Sequence, residues 1–229
     1  MSGIAWLQKT DPAEALPPTS HALREPNGLL AVGGALTPEW LTYAYRHGVF
    51  PWYSADQPIL WWAPDPRAIL LPSEFRISRS LARAIRNRGY VTRIDTAFEA
   101  VVEACAGARR GGPGTWITDE MREAYVALHR HGLAHSIEAW HEDRLVGGLY
   151  GVAMGRVFFG ESMFARERDA SKVALARLTQ ECLRLDVALI DCQQPSPHLA
   201  SLGSRNLVRR EFEAQLAALV DAEPRVWRL

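Results

Sequence analysis

Apolar and polar positions alternate with two different periods along this chain, and the change between them marks its elements. HSIEAWH (135–141), LVGGLYGVA (145–153) and RVFFGESMF (156–164) are strand-length runs rich in β-branched and aromatic residues. The links between them, Glu142-Asp143-Arg144 and Met154-Gly155, are as short as hairpins require. Next, in DASKVALARLTQECLRLD, Leu175, Leu178, Cys182 and Leu185 recur at helical spacing. VALIDCQ (187–193) then reads as a buried strand and 207–220 as a final amphipathic helix. Upstream, Thr118 can cap a helix running through Leu128 and closed by Gly132. Phe98, Val101, Val102 and Cys105 share one side of a helix over 96–108, and another spans 78–88. The first hundred residues are punctuated by proline, which leaves room only for short elements. The clearest of these is a helix with Thr37 as N-cap, Pro38 in its first position, Glu39 in its first turn and Gly48 beyond its end. Hairpins, helix, strand and helix in that order predict an α+β fold. A loose boundary near residues 75–95 divides 1–80 from 81–229.

Length and composition agree with a globular chain. Its 229 residues are 48% apolar and 23% charged, which excludes disordered, collagenous and coiled-coil classes. No apolar run reaches the roughly 18–20 residues of a membrane span. The opening MSGIAWLQKTDPAEALPP lacks a basic flank, a long apolar stretch and a small-residue cleavage site, so a cytoplasmic setting is expected. Cys105, Cys182 and Cys192 are too scattered for a disulfide framework or a cysteine zinc site.

Charge alters the picture more. The 26 basic and 26 acidic residues cancel, yet they are segregated. Arg76, Arg79, Arg83, Arg86, Arg88 and Arg93 follow one another without an intervening acid. Arg79, Arg83 and Arg86 fall on one helix face, which is either a solvated surface or a phosphate-binding stripe.

Candidate chemistry lies at two strand ends. In LIDCQQ (189–194), Asp191 and Gln193 share a face if the strand keeps its period of two. Glu161 interrupts the apolar run RVFFGESMF. Each acid alone could be satisfied by backbone amides, but a buried carboxylate is costly unless paired. Two on neighbouring strands would form a cation-receiving pocket. Trp52 in FPWY and Trp116 in GTWI sit beside loop signals and can offer flat surfaces for stacking a nucleobase. Trp6, Trp140 and Trp227 read as core or anchoring residues. His129, His131 and His135 are split by Gly132 and have no acid or cysteine at ligand spacing, so no metal site is expected. VGGLYG and GARRGGPG lack the order of a phosphate-cradling motif, and neither a GxSxG elbow nor a Cys–His pair is present.

Long segments of the chain resemble the bacterial leucyl/phenylalanyl-tRNA–protein transferases. They are REPNGLLAVGGALTPEWL (24–41), GVFPWY (48–53), ILWWAPDPR (59–67), ISRSL (77–81), GTWIT (114–118), AYVALHRHGLAHSIEAW (124–140), LVGGLYGVAMGRVFFGESMF (145–164), ASKVAL (170–175), LIDCQ (189–193) and HLASLG (198–203). Ala35 departs from the aspartate usual in that family. The resemblance implies an acyl-CoA N-acyltransferase-like C-terminal domain preceded by a smaller N-terminal domain. It implies transfer of Leu or Phe, also Met, from aminoacyl-tRNA to acceptor proteins beginning with Arg or Lys, marking them for N-degron proteolysis. No metal and no coenzyme are implied, and ARERD (165–169) lacks the pyrophosphate loop that a CoA-dependent N-acetyltransferase, the alternative enzyme, would need. A non-catalytic RNA-binding module would leave Glu161, Asp191 and Gln193 unexplained. By resemblance, Asp191 and Gln193 form the reaction centre, with Asp191 accepting or relaying a proton. Glu161 and Asp191 bind the acceptor, and Trp52 and Trp116 hold the tRNA 3′ end. Leu149, Met163, Leu175, Leu178 and Ile190 line the aminoacyl pocket. Arg76, Arg79, Arg83 and Arg86 grip tRNA phosphates. No membrane is involved, and a monomer is the favoured state.

Overall fold

The computed structural model describes residues 3–107, 117–223 and 226–227. The N-terminal part contains β1 (Ala5–Leu7), β2 (Leu29–Gly33), α1 (Pro38–Arg46), β3 (Phe50–Pro51) and β4 (Leu60–Trp62). There follow β5 (Arg67–Leu70), α2 (Arg79–Asn87), β6 (Val91–Ile94), α3 (Phe98–Ala106) and α4 (Asp119–Arg130). The chain continues through β7 (Ala134–His141), β8 (Arg144–Met154), β9 (Val157–Ala165) and α5 (Ala170–Arg184). It ends with β10 (Leu189–Gln193), α6 (Pro197–Ser201), β11 (Arg205–Leu207) and α7 (Arg209–Leu219). Four of the helices begin at a capping side chain. Thr37, Ser78, Thr118 and Ser196 each accept a backbone N–H from the first turn of α1, α2, α4 and α6.

Two sheets result. The smaller runs β1-β2-β4-β3, with β1 and β2 parallel. The larger runs β11-β5-β10-β9-β8-β7-β6 and is antiparallel except for the β9–β10 pair. It takes in Arg67–Leu70, N-terminal to the division expected at residue 80. That division followed composition, whereas strand pairing joins β5 to β10 across more than a hundred residues. Trp6 is also unlike the expectation: it is 70% exposed, because β1 is an edge strand that turns this side chain outward. Trp227 is buried, stacked on His135.

Two apolar clusters sandwich the large sheet. One is continuous from the small sheet through α1, α3 and α4 to Tyr150, Phe159 and Leu189, so the two sheets share a core. The other lies between the opposite face and α5, with Leu81 and Ala84 of α2 closing one side. Glu138, fully buried in β7, is satisfied by donors from Thr96, Ser136, Trp140 and the Ala97 N–H at the start of α3.

At Gly151 of β8 an added Cβ would lie 2.2 Å from the Phe159 carbonyl oxygen of β9. Backbone cannot yield as a side-chain tip can. Gly151→Ala should therefore lower stability by about 1–3 kcal/mol, read as a fall in the urea midpoint at constant m. Gly160→Ala, whose Cβ would meet nothing nearer than 3.4 Å, should shift that midpoint far less.

Candidate active site

β9 and β10 run side by side only as far as the Phe159–Asp191 pair, and both strands then bulge. In β9 the pairing steps from Gly151–Gly160 to Tyr150–Ser162, leaving Glu161 as the extra residue. In β10 it steps from Asp191–Ile69 to Gln193–Ala68, leaving Cys192 as the extra one. Bulges bend a strand and re-aim its side chains. Here they part the sheet and open a cleft of about 390 Å³. Leu149, Met163, Leu175, Leu178 and Ile190 line its apolar part, between the sheet and α5. Glu161, Asp191 and Gln193 line its polar part. A cavity of about 500 Å³ between residues 14–19, α1 and α7 contains none of the expected site residues.

The polar end is built outward from a buried ion pair. Arg67 donates from Nε to Asp191 Oδ1 at 2.9 Å and from Nη2 to Oδ2 at 2.6 Å, a bidentate pair. Arg67 is 1% and Asp191 0% exposed. The guanidinium lies 4.7 Å from the ring centres of both Phe50 and Phe212. Asp191 Oδ1 also accepts the backbone N–H of Gln193 at 2.8 Å. That bond helps hold Gln193 at a φ of 62°, in the left-handed region that a residue with a side chain occupies only at a cost. Simple alternation thus fails at this strand end. Gln193 Nε2 donates to Glu161 Oε1 at 2.8 Å.

Glu161 is half-buried and accepts two phenols besides, Tyr45 on Oε1 and Tyr125 on Oε2, each at 2.7 Å. Desolvation pushes its carboxyl up to about 7, the bonds from Tyr125 and Tyr45 pull it back, and the Asp191 charge adds to the rise. Burial, with the Glu161 charge second, holds the Tyr45 and Tyr125 phenols well above the ordinary tyrosine value. Tyr150 lies beside them, its buried hydroxyl without a hydrogen-bond partner among the described residues.

Two roles expected of Asp191, proton acceptance and contact with the acceptor, meet a carboxylate with no exposed surface and with both oxygens bonded. Its geometry suits orientation of Gln193. Sequence reasoning passed over Arg67, Tyr45 and Tyr125. Arg67 could have been noticed as a charge opening the wholly buried strand RAIL. The two tyrosines sit on the apolar faces of α1 and α4, where pattern alone reads them as core.

The remaining candidates lie apart from the cleft lining. Trp52 is 42% exposed, at the end of β3 in the small sheet. Its neighbour Tyr53 meets Thr118, the cap of α4, at 3.2 Å between hydroxyls. Trp116 falls outside the described residues. Arg76, Arg79, Arg83 and Arg86 are all exposed, because Leu81 and Ala84 turn the other side of α2 inward. Nearby ion pairs engage Arg93 with Asp143 and Arg205 with Glu74, and none of the four pairs with a described residue. The Arg76 N–H bonds Leu202 O, just beyond α6, so the stripe starts beside the helix whose His198 and Leu199 rim the cleft. The three clustered histidines are separately engaged: His129 with Ala134 O, His131 with Ala127 O and His135 with Asp95.

Two family models match this chain. Residues 69–217 match the leucyl/phenylalanyl-tRNA protein transferase model and residues 34–65 match the N-terminal domain of that family. A leucyl/phenylalanyl-tRNA–protein transferase of Azoarcus sp. (strain BH72) is 58% identical, covering 93% of this chain and 89% of that one. Another, from Pseudomonas entomophila (strain L48), is 56% identical over 95% of this chain and 96% of its own. The chain belongs to the leucyl/phenylalanyl-tRNA–protein transferase family. Among solved structures, a GCN5-related N-acetyltransferase from Kribbella flavida aligns with 73% of this chain and 60% of that one at 14% identity, with a TM-score of 0.39. So slight a likeness carries no functional weight.

Breaking the ion pair on one side should be costly. Arg67→Met should lower stability by about 3–5 kcal/mol in urea unfolding, since it strands the Asp191 charge in the interior. Adding Asp191→Leu should recover much of that loss, and strict additivity of the two changes would show the pair to be uncoupled.

Proposed function

We propose that this chain moves leucine or phenylalanine, and also methionine, from aminoacyl-tRNA to the N-terminal Arg or Lys of acceptor proteins, in the cytoplasm, marking them for proteolysis by the N-degron route. The observation that carries this reading is the cleft itself: one apolar compartment opening onto a carboxylate and an amide at the parting of two strands. Leu149, Met163, Leu175, Leu178 and Ile190 would hold the aminoacyl side chain. Such a surface discriminates by only about 1–3 kcal/mol per methylene, in keeping with tolerance of several large apolar residues. The ester is already activated, so placement supplies most of the catalysis, up to about 7–11 kcal/mol.

Gln193, fixed through Asp191 and Arg67, orients the reacting groups. Glu161 receives the cationic acceptor terminus. Trp52 and Trp116 stack on the 3′-terminal adenosine, and Arg76, Arg79, Arg83 and Arg86 hold acceptor-stem phosphates without reading sequence. The chain needs no metal or coenzyme for this and acts as a monomer.

The test is incubation with leucyl-tRNA and an Arg-initiated peptide, with acetyl-CoA as the rival donor. Leucyl transfer is the expected result, and acetylation in its place overturns the reading. Near neutral pH, Glu161→Gln should reduce transfer to Arg- and Lys-initiated peptides by at least about tenfold and narrow their lead over Ala-initiated ones. An undiminished preference would remove Glu161 from acceptor recognition.

Charge reversal at Arg76, Arg79, Arg83 and Arg86 should weaken tRNA binding and flatten the dependence of log affinity on log salt. An unchanged slope would leave the stripe as a solvated face.

A further inference from the structure

Three oxygen–oxygen contacts close a triangle beneath the cleft. Tyr45 Oη and Tyr125 Oη are 2.7 Å apart, Tyr45 Oη and Glu161 Oε1 are 2.7 Å apart, and Tyr125 Oη and Glu161 Oε2 are 2.7 Å apart. Contacts this short each call for a hydrogen. A phenol carries one proton and an ionised carboxylate none, so the two tyrosines bring two protons to three contacts. With a third proton on Glu161 the bonds run head to tail: Glu161 to Tyr125, Tyr125 to Tyr45, Tyr45 back to Glu161. The ionised triangle is one proton short, and the Gln193 amide, which bonds it from the cleft side, donates to the carboxylate without ionising.

We propose that Glu161 takes this missing proton from the α-ammonium of the acceptor, with Tyr45 and Tyr125 as positioning residues that close the ring when it arrives. The inference rests on the aminoacyl-transfer reading above. The N–H bond breaks with its electron pair left on nitrogen, and an O–H bond forms on Glu161. The free amine attacks the ester carbonyl. Its second proton leaves with the ribose oxygen of the tRNA, and the ring's proton returns to solvent. Buffering near neutrality suits this exchange, since an α-amine titrates at about 7.7–8.0 and burial brings the Glu161 carboxyl up to about 7.

The surrounding groups leave the assignment intact. Tyr45 of α1, Tyr125 of α4 and Tyr150 of β8 keep their protons, because burial holds all three phenols well above their ordinary value. Asp191 of β10 is held against Arg67 of β5. His198 of α6 lines the same cleft, its ring made less basic by desolvation and by Lys172 of α5.

Infrared difference spectra of the substrate-free protein should show a carboxylic-acid C=O band that grows as pH is lowered through neutrality and is missing from Glu161→Gln. Single-turnover transfer from leucyl-tRNA to saturating Arg-initiated peptide should be slowed at least about tenfold by Glu161→Gln near pH 6.5. Near pH 9, where the amine needs no base, that gap should shrink to about threefold or less. Simple charge pairing predicts the opposite, a gap that widens with pH as Glu161 ionises. Tyr45→Phe, which keeps the carboxylate and opens the ring, should lower kcat near pH 7 while leaving the peptide KM within about twofold. The proposal is overturned by a missing band or by a gap that stays constant or widens. Absence of any transfer by the unaltered chain would instead overturn the aminoacyl-transfer reading, and the infrared band would still report on the ring.

Discussion

Everything at the polar end of the cleft hangs on one buried ion pair. Arg67 opens β5, Asp191 sits in the interior strand β10, and the two aromatic rings flanking the guanidinium come from β3 and α7. Four separate stretches of chain therefore meet at a single cation. Charges buried this deeply are expensive to desolvate, and the expense is met only because the fork-shaped guanidinium fits the carboxylate on both oxygens. A lysine would supply the charge without the fork. What the pair secures is direction. Oδ1 of Asp191, besides accepting Arg67 Nε, also accepts the Gln193 N–H, and that bond sets the turn from which Gln193 reaches Glu161.

Irregularity does the rest. A regular sheet would carry β9 and β10 in parallel to their ends and leave no opening. Because both strands bulge within a few residues of the same pair, the sheet splits where Glu161 and Gln193 need room. The cleft opens on the α5 side, with Tyr150 of the opposite apolar layer at its edge.

Much of this was legible in the sequence. Capping threonines placed α1 and α4, and short links gave the β7–β8–β9 hairpins, since both signals are local. Glu161 and Asp191 stood out as acids within apolar strands, an anomaly that pattern reveals by itself. Their partners did not stand out. Arg67 lies 124 positions from Asp191, and Tyr45 lies 116 from Glu161. Nothing in a buried-face tyrosine distinguishes a packing ring from one whose hydroxyl serves a carboxylate. The bulges were equally hidden, because alternation carries no mark of where pairing slips. Trp6 misled for a related reason: its burial depends on which strand forms the edge, and edges are a property of topology.

The common core of the two sheets has a consequence for how the molecule comes into being. Tyr45 belongs to a helix made early in synthesis, Tyr125 to one made near the middle, and Glu161 to a strand made later still. Until β9 has been synthesised, the Tyr45 and Tyr125 hydroxyls have no Glu161 carboxylate to donate to. The N-terminal sheet is therefore half of a seam, and its own fold leaves a polar gap that only the other half can fill. Competence for chemistry and completion of folding become the same event, so a partly assembled chain has no working site with which to act on the wrong amine.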